Sequence, residues 1–324
     1  MSTKLIIYCV IIFFNITIGF AETKKCLYIA SYHKGYEWGD GIERGLKNKL
    51  DNACELKQFN MDTKRHSLES YKVAAGKKAR DLILSWKPDV VIASDDNASK
   101  YVVQAYFKDH EIPFVFCGIN WSVDAYGYPY SNATGMVEVG PISNLLVKVT
   151  DIIGRPANAY YLGVDILTER KNYERFNEET KSLNIKLVKG LAKTTEQWME
   201  FYIQAQKYDF VIIGGYVGLN DWNKDKVIRV IQKNTRKLSV TIQGWMVPYT
   251  ILGLTKIPEE QGEWAAMVAI SILGGTKPAD IPIVSNRKWD LWINENILSN
   301  TDIKLPRALV SKAKKIGRNG SKAQ

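Results

Sequence analysis

The chain has 324 residues, 46% hydrophobic and 24% charged, with a formal net charge of +10. These are the proportions of an ordinary globular protein, which excludes a disordered or fibrous chain, and the length exceeds one average domain, so two lobes are expected. The positive balance does not point to nucleic acid, because the lysines are spread along the chain and form no stripe.

Residues 1–21 read as a secretory signal. Lys4 is the only charge in Met1-Ser2-Thr3-Lys4, Leu5 to Phe14 is uncharged and apolar, and Gly19 and Ala21 are small residues at the −3 and −1 positions before Glu22. A membrane anchor would need about 20 apolar residues, whereas Asn15, Thr17 and Gly19 interrupt this run. Cleavage is expected after Ala21. No Leu-x-x-Cys lipid-attachment pattern is present, since Cys26 follows Thr23-Lys24-Lys25. Export into a periplasm as a free protein is the expectation. Three cysteines then remain, Cys26, Cys54 and Cys117, with no Cys-x-x-Cys spacing and only His33, His66 and His110 to assist them. Neither a metal site nor a cofactor is expected on that pattern.

Strand-like runs alternate with helical ones. Cys26 to Ser31 is a strand, and Asp40 to Leu50 is a helix with Ile42, Leu46 and Leu50 on one face. Glu55 to Asn60 is a strand, Leu68 to Trp86 a helix that Pro88 stops, and Asp89 to Ser94 a strand. Helix Ala98 to Lys108 leads to strand Pro113 to Gly118. The pattern then repeats: strand Ala157 to Val164, helix Thr168 to Leu183, strand Ile185 to Val188, helix Thr195 to Gln206, strand Phe210 to Gly214, helix Lys224 to Asn234 and strand Leu238 to Gln243. A helix from Pro258 to Leu273, a strand from Trp289 to Asn294 and a helix from Pro306 to Ile316 close the chain, and 317–324 is a polar, basic tail expected to be disordered. Continuous apolar strands separated by helices predict parallel sheets covered on both faces, so the fold class is α/β with two doubly wound, Rossmann-like lobes.

That topology makes the first two strands parallel neighbours about 4.8 Å apart. Cys26 opens one and Cys54 immediately precedes the other, so a Cys26–Cys54 disulfide is expected, with Cys117 left free.

Several segments, taken together, resemble a known family. They are Ser31-Tyr-His-Lys-Gly-Tyr-Glu-Trp38 followed by Gly-Ile-Glu-Arg-Gly45, then Asn132-Ala-Thr-Gly135 with Pro141-Ile142. Ile272-Leu-Gly-Gly-Thr-Lys-Pro-Ala-Asp-Ile-Pro282 and the ending Trp292-Ile-Asn294 through Ile303-Lys-Leu-Pro306 complete the set. In this order the chain resembles the substrate-binding proteins of ABC transporters, especially the group related to tryptophan/tyrosine-binding components. The resemblance implies a type I periplasmic-binding fold with a hinge and an interlobe cleft. The N-terminal lobe would span 22–138, completed by about 245–275, and the C-terminal lobe 139–244, completed by about 276–316. The chain departs from the group at Gly118-Ile-Asn-Trp121 and Gly214-Gly-Tyr216, both where ligand would be touched.

Ligands of open α/β sheets sit beyond the carboxyl ends of the strands, and two facing lobes turn those ends into one cleft. The residues just after the strands are therefore the candidates: Tyr32, His33, Tyr36 and Trp38; Ser94, Asp95 and Asn97; Asn120 and Trp121; Glu138 near the crossover; and Asp165, Tyr216 and Trp245 from the second lobe. Large aromatics and carboxylates dominate, which suits a ligand with a flat or cationic part held by stacking and cation–π contacts. A ligand carboxylate would find helix N-terminal amides near Asn97. One of Asp95 and Asp96 is expected to cap the helix that follows. Gly39 to Gly45 has the wrong last spacing for a dinucleotide loop, and no Gly-x-Ser-x-Gly, His-Glu-x-x-His or P-loop pattern occurs.

The resulting expectation is a monomeric, non-enzymatic periplasmic protein that captures a small molecule, aromatic or amino-acid-like, and delivers it to an ABC permease. A sensory module acting on a membrane receptor kinase keeps the same fold with another partner. An enzyme would have to use Cys117, which lacks His and Asp partners in the sequence.

Overall fold

The computed structural model describes residues 23–317. The expected signal segment and, beyond Gly317, the expected tail lie outside the described residues.

The first half of the chain builds β1 (Lys25–Ala30), α1 (Glu37–Leu50), β2 (Glu55–Asn60), α2 (Glu69–Trp86), β3 (Val90–Ser94), α3 (Asp95–Ala98), β4 (Phe114–Asn120) and β5 (Ala133–Glu138). α3 runs on as a π-helical segment, Ser99–Gln104, in place of the regular helix expected from Ala98 to Lys108. The second half builds α4 (Ile142–Ile153), β6 (Asn158–Val164), α5 (Leu167–Ser182), β7 (Lys186–Ala192), α6 (Thr195–Ala205), β8 (Phe210–Ile213), α7 (Lys224–Asn234), β9 (Leu238–Thr241) and β10 (Leu252–Lys256). There follow α8 (Pro258–Leu273), β11 (Val284–Ser285), β12 (Trp289–Asn294), α9 (Glu295–Leu298), α10 (Arg307–Val310) and β13 (Lys314–Ile316).

The strands form two sheets, ordered β11-β5-β4-β3-β1-β2 and β13-β12-β10-β9-β8-β6-β7. Every pair is parallel except β10 with β12. In the first sheet, strand alternation splits the core into two layers. Leu27, Ile29, Val91, Phe114 and Phe116 pack on the α2 side, while Tyr28, Ile92, Val115 and Cys117 pack on the α1 and α8 side. The second sheet is filled by Tyr161, Phe176, Trp198, Tyr202 and Phe210.

α1 and α8 approach closely because each has a glycine at the crossing. A Cβ on Gly262 would lie 2.0 Å from the Ile42 carbonyl oxygen, and one on Gly45 would lie 2.3 Å from that of Glu259. The segment 245–275, expected to return to the first lobe, therefore divides: β10 joins the second sheet, and α8 covers the first. β11 also joins the first sheet, although 276–316 was expected in the second lobe.

The chain crosses between lobes at 138–142, 256–258 and 285–289. Side chains tie these crossings together. Asn286 Oδ1 accepts from the Val139 amide at 2.7 Å, and Glu260 accepts from the amides of Arg287 and Lys288 at 2.8 and 2.9 Å.

Cys26 and Cys54 are joined, Cα–Cα 5.8 Å, and Cys117 is free and buried. Cys117 lies within β4, paired in register with Ser94 and Met136. The terminal helix expected over Pro306 to Ile316 stops at Val310, and Lys314–Ile316 adds an edge strand to the second sheet. Among the described residues, no helix is long and apolar enough to cross a membrane.

Candidate functional site

The carboxyl ends of both sheets face the crossings, and the first-lobe half of this surface is built around Asp95. It follows the last residue of β3 and has φ +67°, a left-handed conformation uncommon for a side-chain-bearing residue. Two features hold it there. Gly118 on the adjacent β4 also has a positive φ, +70°, and a Cβ at Gly118 would press to 3.0 Å from Asp95 Oδ1. Trp38, in the first turn of α1, donates its indole N–H to the same oxygen at 3.1 Å. The other oxygen, Oδ2, is buried without a partner. Asp95 is 2% exposed, and burial first, then the neighbouring charges of Glu138 and Asp96, holds its carboxyl well above the usual range. No cation pairs with it among the described residues.

Glu138, at the end of β5, is also buried and pushed upward by burial, but Lys256 at the end of β10 opposes this by pairing with it. Lys256 Nζ also sits 5.2 Å from the centre of the Trp38 ring. The ion pair thus joins two of the three lobe crossings beside Trp38. Asp96 is held by Asn120 and by the Tyr126 hydroxyl, each at 2.6 Å.

The loop after β1 carries Tyr32 and Tyr36 edge to face, with centroids 5.1 Å apart, and Lys64 lies over both rings at 4.8 and 4.0 Å. His33 stands 6.1 Å from the Tyr36 ring, with its Nδ1 buried and 3.6 Å from Asp62. Asn97 donates to Thr63 at 2.8 Å.

The structure turns other candidates away from the cleft. Ser94 is fully buried, its hydroxyl 3.0 Å from that of Tyr28 in the core. Neither aspartate caps α3: Ser94 occupies the cap position without a side-chain bond, and the Ala98 amide is taken by Ser31 Oγ at 2.8 Å. One of the amides near Asn97, that of Ala98, is therefore already satisfied. Trp121, with φ +65°, donates its amide to the Glu138 carbonyl at 2.9 Å and packs against the second-lobe core, with Arg175 of α5 5.7 Å from its ring. It bridges the lobes at the hinge.

In the second lobe, Asp165 bonds Arg170 at 2.5 Å with Lys193 3.8 Å away, and the Arg170 hydrogen bond first of all lowers its carboxyl below the usual range. It is already neutralised by its own lobe. Tyr216 stacks on Trp222 at 4.4 Å, and Tyr249 stands edge-on to both. Trp245 is 46% exposed.

Glu169, in the first turn of α5, is the residue sequence reasoning missed. It is 5% exposed, accepts from the Tyr161 hydroxyl at 2.9 Å and from Asn172 at 3.3 Å, and burial pushes its carboxyl up to about 7. Three glycines make room for it. A Cβ at Gly214 would lie 2.1 Å from Glu169 Oε2, one at Gly163 would lie 2.5 Å from the same oxygen, and one at Gly215 would lie 3.2 Å from Oε1. The Gly214-Gly215 pair directly after an apolar strand was the available signal, since glycine there marks a close approach.

The sequence model of the family described as ABC transporter substrate binding protein matches residues 29–316. No curated protein matches the chain in sequence. Three solved structures are similar in fold. A conserved domain protein from Vibrio cholerae has 17% identity and TM-score 0.63, covering 91% of this chain and 99% of its own. A domain from Streptococcus pneumonia in complex with L-Trp has 14% identity and TM-score 0.62, covering 90% and 99%. A ligand-free, open substrate-binding protein with adhesive properties from Clostridium difficile has 14% identity and TM-score 0.70, covering 91% and 99%. The fold is the type I periplasmic-binding fold that the resemblance implied. Matched by the family's sequence model over all but the ends of its described length, the chain belongs to the ABC transporter substrate-binding protein family.

Proposed function

We propose that the protein works in the periplasm, closing its two lobes on a small solute with a flat and a positively charged part and passing it to a membrane permease. Asp95 carries this reading. A carboxylate buried without a counter-ion is costly unless a partner arrives, and this one lies at the carboxyl edge of the sheet, bonded on one oxygen by the Trp38 indole N–H and unpartnered on the other. Tyr32, Tyr36 and Trp38 supply rings near it that already hold cations, Lys64 over the two tyrosines and Lys256 by the indole. The L-Trp held by the Streptococcus pneumonia domain makes an aromatic solute a reasonable first probe. A solute touching both lobes binds the closed form better than the open one, and that difference shifts the population toward closure. Catalysis has little to work with: Cys117 is wholly buried, and burial with the nearby Asp95 charge pushes its thiol up, away from the reactive thiolate.

A thermal-shift screen of amino acids, aromatic metabolites, amines and nucleosides tests the proposal, because a solute that binds the native state raises its stability. At least one cationic aromatic compound should raise the melting temperature in a concentration-dependent way. Replacing Trp38 by Ala should then weaken binding by about 1–3 kcal/mol, as for a buried aromatic anchor. Wild-type affinity in Trp38→Ala and Trp245→Ala alike would remove the aromatic wall.

A further inference from the structure

We infer that Glu169 is the second-lobe counterpart of Asp95, so that the solute is an N–H-bearing cation, an ammonium or guanidinium, gripped by one carboxylate from each lobe. This rests on the proposed solute-binding role and specifies its chemistry.

Each lobe sets a buried carboxylate against a glycine at the carboxyl edge of its sheet, though at non-equivalent strands. In the first, a buried carboxylate follows β3 and faces a glycine on the neighbouring β4. In the second, a buried carboxylate follows β6 and faces the glycine that follows the neighbouring β8. Neither carboxylate pairs with a cation among the described residues, whereas Glu138 and Asp165 do, and Asp96 has both oxygens bonded by Asn120 and Tyr126. A carboxylate kept only for structure would gain from a cation or from replacement by an apolar side chain. Instead, residues 163, 214 and 215 are glycine around Glu169; a Cβ at 163 or 214 would collide with its carboxyl and one at 215 would crowd it. Gly214 and Gly215 also leave no side chain over it, and the nearest large group past Gly215 is the indole of Trp245, whose Nε1 lies 3.8 Å from the Cβ position of residue 215. A buried carboxylate beside an exposed ring matches the setting of Asp95, which lies at the edge of the Trp38 ring by its indole N–H bond.

On the second-lobe side the charge balance also disfavours an acidic group, whereas on the first-lobe side Lys64, bonded only to the Tyr36 hydroxyl among the described residues, carries a charge without a carboxylate partner. Lys256 is engaged by Glu138, and Arg170 and Lys193 are engaged by Asp165. An anion would meet the unpaired Asp95 and Glu169 without a free basic partner on the second-lobe side.

One ring with three charge states tests this by calorimetry: tryptamine (cation), L-tryptophan (zwitterion) and indole-3-acetate (anion). Each is titrated into wild type, Glu169→Gln and Asp95→Asn. The inference predicts affinity in the order tryptamine, L-tryptophan, indole-3-acetate, with tryptamine weakened about tenfold or more in each variant. Unliganded Glu169→Gln should melt no lower than wild type, which separates a lost contact from a lost fold. If tryptamine binds Glu169→Gln as tightly as wild type, the second-lobe subsite is wrong while the solute-binding role stands. If indole-3-acetate binds best, the charge class is wrong and the role again stands. If no solute of these three or of the thermal-shift screen binds, the solute-binding reading fails and this inference fails with it.

Discussion

A carboxylic acid held above its usual range by burial makes stability depend on pH in the direction opposite to an ordinary surface carboxylate. Glu169 shifts from an ordinary 4.5 to about 7. Between those values the folded state holds a proton that the unfolded chain has released, so stability falls as pH rises through this window and is flat above it. The shift corresponds to about 3 kcal/mol. Glu169→Gln should therefore match wild type near pH 4.5 and become more stable by about 3 kcal/mol at pH 8, read from denaturant midpoints at both pH values. Equal pH dependence in the two proteins would show that Glu169 is ionised and satisfied at neutral pH. The position of Asp95 was legible in the sequence because it directly follows an apolar strand. Glu169 was not, since its closeness to Gly214 joins two points 45 residues apart that only the folded sheet brings together.

Among elements, those with strong local patterns were readable and those fixed by tertiary pairing were not. β3, Val-Val-Ile-Ala-Ser, is buried along its whole length and reads as a central strand. β5, Ala-Thr-Gly-Met-Val-Glu, has a mid-strand glycine that weakens the signal, yet Gly135 is required because a Cβ there would meet the Phe116 ring at 2.1 Å. β10 and β13 went unread because their strand character comes from the partners beside them. The disulfide was readable, since it needed only the parallel order of β1 and β2. It closes 28 residues and should contribute about 3–4 kcal/mol in the chain-entropy model. Thiol counting on denatured, unreduced protein should find one free group per chain, and reduction should lower the denaturant midpoint accordingly. Three free groups would refute the bridge. At the α1–α8 crossing, Gly262→Ala forces a Cβ against the Ile42 carbonyl, and the overpacking should cost about 1–3 kcal/mol. An unchanged unfolding midpoint would mean that the helices separate freely.

At the scale of the whole molecule, three crossings tie the lobes. Val139 is clasped by Asn286, Arg287 and Lys288 are clasped by Glu260, and the Glu138–Lys256 pair sits against Trp38. A hinge of this kind lets the lobes rotate as units while backbone hydrogen bonds within each sheet persist. Because Asp95 and Trp38 belong to one lobe and Glu169 and Trp245 to the other, a solute that satisfies both carboxylates should be able to do so only when the lobes meet.

Small-angle X-ray scattering with and without a saturating solute identified by thermal shift tests this account most directly. The account predicts a smaller radius of gyration on binding in wild type, and no such contraction when the same compound is added to the Asp95→Asn, Glu169→Gln double variant. A solute that binds wild type one to one and leaves the radius of gyration unchanged would contradict closure of the two lobes around it.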